Sequence, residues 1–142
     1  MREALELARE AAARYEVPVG AVVVRNGEVI GRGFNAPVSR MDPSAHAEIT
    51  ALRQAAARIG NYRLEKTTLY STLEPCIMCA GALVHARVER LVFGSRDLRF
   101  GGVRSKFRLA DSELLNHRLE VVEGVLGDEC LRLLQDFFEK RR

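Results

Sequence analysis

The sequence has no tryptophan, only three cysteines, and just three lysines, Lys66, Lys106 and Lys140. It also has no long apolar run. Three thiols are an odd number in a chain of 142 residues that shows no charged-then-apolar leader, which argues against a secreted disulfide framework and for a cytoplasmic protein. Charges or glycine interrupt every apolar stretch before the ~18–20 residues that a membrane-spanning helix needs, so a soluble protein with no membrane partner is expected. The length leaves room for one domain, residues 1–142, and excludes a separate binding module.

Lysine scarcity moves the basic side of the composition to arginine. The chain carries 22 Lys and Arg against 19 Asp and Glu, a net charge of +3. Arginine is weakly hydrated and forks onto phosphates, which hints at a polyanionic partner. An ion-paired surface is the alternative, and composition alone favours it.

Periodicity divides the chain into alternating elements. Leu5, Ala8, Ala12 and Tyr15 recur at helical spacing and predict an amphipathic helix over 4–15. Residues 17–24 are nearly all apolar and β-branched, and 29–34 resume a strand pattern after Asn26-Gly27, the favoured dipeptide of a two-residue hairpin. An antiparallel pair is expected. Asp42 is placed to cap a helix with Pro43 at its first position, running to about residue 58, and Gly60-Asn61 closes it. A buried strand over 67–71, a helix from Pro75 to His85 and a strand over 90–93 follow. The stretch 95–108 is irregular and basic, with Arg96, Arg99, Arg104, Lys106 and Arg108 beside Phe100 and Phe107, and reads as a flexible or partner-facing loop. A strand over 118–122 and a helix over 128–141 complete an α/β domain whose helix-separated strands imply parallel neighbours in a sheet covered on both faces.

Two short segments carry chemistry. Cys76 and Cys79 stand three apart at a helix start, which puts both sulfurs on one side a turn apart, where unpaired N–H groups and the helix dipole favour thiolate. Two thiolates and an imidazole suit zinc, and His46 supplies the imidazole if the two helix starts converge on one sheet edge. Cys130, His85 and His117 are the remaining candidates for a fourth ligand, and none stands at ligand spacing. A zinc with three protein ligands keeps a place for water, the catalytic arrangement. Glu48 suits a proton-transfer role, except that residues two apart in an ideal helix point ~200° away from each other. His46 and Glu48 therefore share a site only if the helix start is irregular or edge-on.

His46-Ala47-Glu48 and, beyond residues 49–74, Pro75-Cys76-Ile77-Met78-Cys79 resemble the His-x-Glu and Pro-Cys-x-x-Cys signature of the zinc-dependent cytidine deaminase superfamily. The segments Glu16-Val17-Pro18-Val19-Gly20-Ala21-Val22, Asp42-Pro43-Ser44-Ala45, Asn61-Tyr62-Arg63-Leu64, Leu69-Tyr70-Ser71-Thr72-Leu73-Glu74 and Asn116-His117-Arg118 narrow this, because they look like the bacterial tRNA-specific adenosine deaminase family over nearly the whole chain.

The resemblance implies a three-layer α/β/α cytidine-deaminase-like fold, a mixed five-stranded sheet with an N-terminal antiparallel hairpin. It implies conversion of adenosine to inosine at the wobble position of a tRNA anticodon by a homodimer. His46, Cys76 and Cys79 would hold zinc, whose hydroxide attacks C6 of adenine, and Glu48 would shuttle the proton until ammonia leaves. Asn35 would hydrogen-bond the flipped base and Val19 would form a pocket wall. Asp97 would lie near the target nucleotide's backbone, and Phe138 near the neighbouring nucleotide. One stretch departs from the family: where relatives commonly carry Gly-Ala-Ala-Gly-Ser, this chain has Gly101-Gly102-Val103-Arg104-Ser105-Lys106-Phe107-Arg108. The basic loop and Lys140-Arg141-Arg142 are the expected RNA-facing surfaces. Two rivals remain: a deaminase of free guanine, cytosine or nucleosides, and a non-catalytic zinc and RNA-binding module, which requires a fourth protein ligand.

Overall fold

A computed structural model describes residues 1–141; Arg142, the end of the expected basic tail, lies outside the described residues. The chain folds as α1 (Arg2–Ala13), β1 (Gly20–Arg25), β2 (Glu28–Phe34), α2 (Pro37–Arg40), α3 (Ala47–Ile59), β3 (Thr68–Leu73), α4 (Ile77–His85), β4 (Arg90–Ser95), β5 (Glu120–Glu123) and α5 (Gly127–Glu139). The sheet order is β2-β1-β3-β4-β5. Strand β1 runs antiparallel to both β2 and β3, whereas β3, β4 and β5 are parallel. Helices α1 and α5 touch each other, α3 and α4 touch each other, and both pairs flank the sheet, which makes the expected three layers.

The hairpin follows from its turn. Asn26 and Gly27 both have positive φ, 51° and 74°, the geometry whose twist matches flanking antiparallel strands, and Arg25 pairs with Glu28 across it. Strand β2 then presents Gly31 and Gly33 to α3, and a β-carbon at either would overlap the backbone oxygens of Ala51 and Ala47. This close approach brings the start of α3 against the end of β2. The core between the sheet and α3/α4 is built from Val23, Leu52, Leu69, Leu83, Leu91 and Phe93.

Three expectations change. Asp42 does not cap a long helix: its Oδ1 accepts from Ser44 N and Ser44 Oγ at 2.9 and 2.7 Å, a local turn that competes with helix, and α3 begins only at Ala47. A short helix, α2, occupies part of the stretch expected as loop, its exposed Val38 and Ser39 amides donating to buried Glu16. The 95–108 stretch is not a loose loop, because it is gathered around Glu74, as described below. Among the described residues no helix is long and apolar enough to cross a membrane.

Candidate active site

The first turns of α3 and α4 meet at the C-terminal end of β3. His46 is the residue before α3, with extended φ −80° and ψ 153°, so it is not bound by helical side-chain spacing. Glu48, in the first turn of α3, therefore faces the same place as His46. Cys76 is likewise the residue before α4, with Cys79 in its first turn. The Nδ1 of His46 lies 3.5 Å from Cys76 Sγ and 3.6 Å from Cys79 Sγ. All three donor atoms fall within 4.8 Å of one another.

These distances test the zinc expectation. A tetrahedral zinc bonded to sulfur at about 2.3 Å and nitrogen at about 2.0–2.1 Å places those two atoms about 3.5 Å apart, as found. The donor set is that of a zinc site. Among the described residues no fourth ligand joins it: Cys130 is buried against Gly94, and His117 donates Nε2–H to Val88 O at 2.7 Å. The non-catalytic module thus loses the closed site it requires.

The electrostatics divide the two sulfurs. A hydrogen bond from Cys79 pulls the Cys76 thiol down to about 4 against its burial, with help from His46. Cys79, donating to Cys76 and buried, is held far above the ordinary thiol range. His46 is raised by its bond to the Cys76 sulfur, against its own burial. Burial lifts the Glu48 carboxyl to about 7, reinforced by the nearby Cys76 charge. A carboxyl poised there both accepts and returns a proton near neutral pH.

These groups lie at a cavity of about 540 Å³, which Val19, Asn35 and Asp97 also line. Asn35 Oδ1 accepts from Ala47 N at 2.9 Å. Since an amide nitrogen cannot accept from N–H, this fixes the Asn35 side chain with its NH₂ free to donate. Asp97 Oδ1 accepts from Arg99 N and Phe100 N at 3.0 and 3.2 Å, a local turn at the rim. Phe138 is not brought here: its half-exposed ring packs edge-on against Phe137, with centroids 5.3 Å apart, outside the cavity lining.

The basic loop is less basic than its composition. Arg104 forks onto Asp111 at 2.9 and 3.1 Å, Arg96 pairs with Glu123 at 2.7 Å and Arg108 with Asp111 at 3.6 Å. Arg99 and Lys106, which have no ion pair among the described residues, line the cavity with Phe100 and Phe107. Sequence reasoning missed Glu74, which is 1% exposed and accepts five hydrogen bonds from the loop. Its burial favours the neutral carboxyl, but the bonds from Ser105, Arg104 and Asp97 outweigh that and hold it below the usual carboxylate range. An acid directly before Pro-Cys at the end of a buried strand was the available signal.

Fold and donor set together define a zinc deaminase domain of the cytidine-deaminase-like superfamily. Residues 1–142 match the MafB19-like deaminase family. The chain belongs to that family and, within it, groups with the tRNA-specific adenosine deaminases. It is 54% identical over 143 residues to the tRNA-specific adenosine deaminase of Haemophilus influenzae, covering all of this chain and 83% of that one. It is 46% identical over 142 residues to the Bacillus subtilis enzyme of the same name, covering all of this chain and 88% of that one. Among solved structures, one from work on A-to-I editing by tRNA:A34 deaminases at the wobble position superposes with a TM-score of 0.91 at 42% identity, covering 94% of this chain and 97% of that one. A guanine deaminase from Nitrosomonas europaea superposes at 0.84 with 28% identity, covering 96% and 81%.

Proposed function

We propose that this chain hydrolyses adenosine to inosine at the wobble position of a tRNA anticodon. The observation that carries this reading is the cluster of the His46, Cys76 and Cys79 donors beside buried Glu48, with His46, Cys76 and Glu48 lining one cavity. Full-length likeness favours adenosine in RNA over a free base: tRNA-specific adenosine deaminases reach 54% identity over the whole chain and a TM-score of 0.91, whereas guanine deaminases match at 40% over only 67% of it with a TM-score of 0.65, or at 28% over 96%.

His46, Cys76 and Cys79 would hold a zinc ion, which when bound would supply the Lewis acidity that makes water a nucleophile near neutral pH. Glu48 takes one proton from the attacking water and gives it to the purine ring nitrogen beside C6, then takes the second from the resulting C6 hydroxyl and gives it to the departing amine. Water adds at C6 and the C6–N bond breaks, so that adenosine and water give inosine and ammonia. The NH₂ of Asn35 donates to an acceptor on the purine, and Val19 walls the cavity. Asp97 meets the backbone of the target nucleotide at the rim. An anticodon base is already unpaired, which lowers the cost of drawing it into the cavity. Phe138 is available only to RNA that extends past the rim.

We read the protein as a single cytoplasmic deaminase domain that works as a homodimer. A partly apolar surface where half-buried Ile49, Ala56 and Ala82 of α3 and α4 meet exposed Tyr62 of the following turn supports a second copy there. Light scattering at twice the chain mass is expected, and the monomer mass overturns the dimer. Mass spectrometry with an anticodon stem-loop, cytidine and guanine offered separately tests the reaction. Inosine in the stem-loop is expected; turnover of a free base alone overturns it.

A further inference from the structure

The buried carboxylate of Glu74 has no cationic partner among the described residues, yet both its oxygens are fully occupied. Oε1 accepts from Asp97 N at 3.1 Å and Ser105 Oγ at 2.5 Å. Oε2 accepts from Val103 N, Arg104 N and Ser105 N at 3.0, 2.7 and 2.9 Å. All five donors come from one segment, residues 97–105, which forms an anion nest around a side chain of its own protein. The packing leaves no room for change: a β-carbon on Gly101 would overlap the Glu74 carboxylate. The same segment is tied to the metal-binding turn, since Gly102 N donates to Pro75 O at 2.8 Å and Cys76 bridges to Gly101.

The segment held by Glu74 and the residues directly after it contribute to the cavity wall. Arg99 and Phe100 lie within the latched segment, Lys106 and Phe107 directly after it, and all four line the cavity. Both rings are more than half exposed, and the Arg99 guanidinium lies 6.0 Å from the centre of the Phe100 ring. Exposed rings with unpaired cations are the elements that stack and neutralise single-stranded nucleotides. Lys106 and Phe107 fall where the sequence departs from the small-residue stretch common among relatives.

We propose that Glu74 is a positioning residue for substrate: it latches residues 97–105 so that Arg99–Phe100 and Lys106–Phe107 form an aromatic and cationic clamp on the unpaired nucleotides flanking the reacting base. This rests on the RNA deaminase reading above. Glu74 touches neither the reacting atoms nor the metal donors through a side-chain bond, so its effect falls on binding.

The test measures kcat, KM, zinc content and amide hydrogen exchange with an anticodon stem-loop. In Glu74→Gln an amide NH₂ faces backbone donors, and KM is expected to rise about tenfold. Saturated kcat and zinc stay near wild type, while exchange at Val103, Arg104 and Ser105 accelerates. The double variant Phe100→Ala/Phe107→Ala leaves the latch intact and is expected to raise KM by a similar factor with exchange unchanged. Ser105→Ala, which removes one donor only, gives a smaller rise along the same line and serves if Glu74→Gln does not fold. An unchanged KM in the aromatic double variant overturns the clamp. Lost zinc or a fallen kcat at unchanged KM in the Glu74 or Ser105 variant overturns the latch. A wild-type protein inactive on the stem-loop but active on guanine overturns the RNA reading instead, a result separate from both.

Discussion

Asn35, one residue past the end of β2, accepts the backbone N–H of Ala47 through its Oδ1 at 2.9 Å, and so caps the helix that carries Glu48 from outside that helix. One side chain thereby ties the extended backbone before α3 to the end of β2, satisfies an otherwise orphan donor, and leaves its own NH₂ free to donate.

Replacing Asn35 separates these roles. Asn35→Ala is expected to lose the cap, at about 1 kcal/mol, and to raise KM for the stem-loop. Asn35→Asp keeps an acceptor for Ala47 but offers no donor to the base, so its melting temperature stays near wild type while KM still rises. Thermal denaturation and steady-state kinetics on both variants check this.

Glu48 and Cys76 are expected to fail differently. Glu48→Ala lowers kcat by about 10²–10⁴ with zinc retained, the usual range for a lost proton-transfer group. Cys76→Ala removes a ligand, so zinc per chain falls toward zero and the melting temperature drops with it. Metal analysis beside the deamination assay distinguishes them, and zinc loss in the Glu48 variant contradicts the assignment.

The two kinds of arginine in the 95–108 stretch predict opposite results. Arg99→Ala with Lys106→Ala weakens RNA binding and flattens its salt dependence by about 1 to 2 in slope, since each lost phosphate contact removes a share of counterion release. Arg104→Ala leaves that slope nearly unchanged but strips Asp111 of its fork, lowering stability by about 1–3 kcal/mol. Binding isotherms over a salt series and thermal melts measure the two effects.

Acid stability has a contribution from Glu16. Burial raises its carboxyl, but the Ser39 and Val38 bonds overcome this and leave it below its ordinary value. A carboxyl depressed in the folded state stabilises above its unfolded value, about 4.3, and that stability is lost as pH falls through the lower folded value. Glu16→Gln is therefore expected to be less stable than wild type at neutral pH, with the gap closing in acid. A gap that widens below pH 4 in denaturant titrations refutes this.

Much of the fold was legible because its signals are local. Asn26-Gly27 specifies a hairpin by its own backbone preference, and helical spacing locates α1 and α5, though the ends shift by a residue or two, Tyr15 falls outside α1 and is exposed, and α5 buries only Cys130. Asp42 misled because the same residue type that caps helices also closes turns on its neighbours, and only Ser44 in place shows which bond it makes. His46 with Glu48 posed the converse difficulty: two residues apart they face opposite sides of a helix, and both reach the site only because His46 stands before the helix begins.

The sequence alone pointed to the zinc donor set through ligand type and short spacing, and to the family through its motifs, because these signals are chemical and local. Tertiary structure decided what the charges do. Arg96, Arg104 and Arg108 meet acids far along the chain or across a turn, and Glu74 draws five donors from a segment more than twenty residues away. Whether a side chain is spent internally or offered to a partner depends on which groups folding brings within about 3 Å of it, and no periodicity or composition encodes that distance.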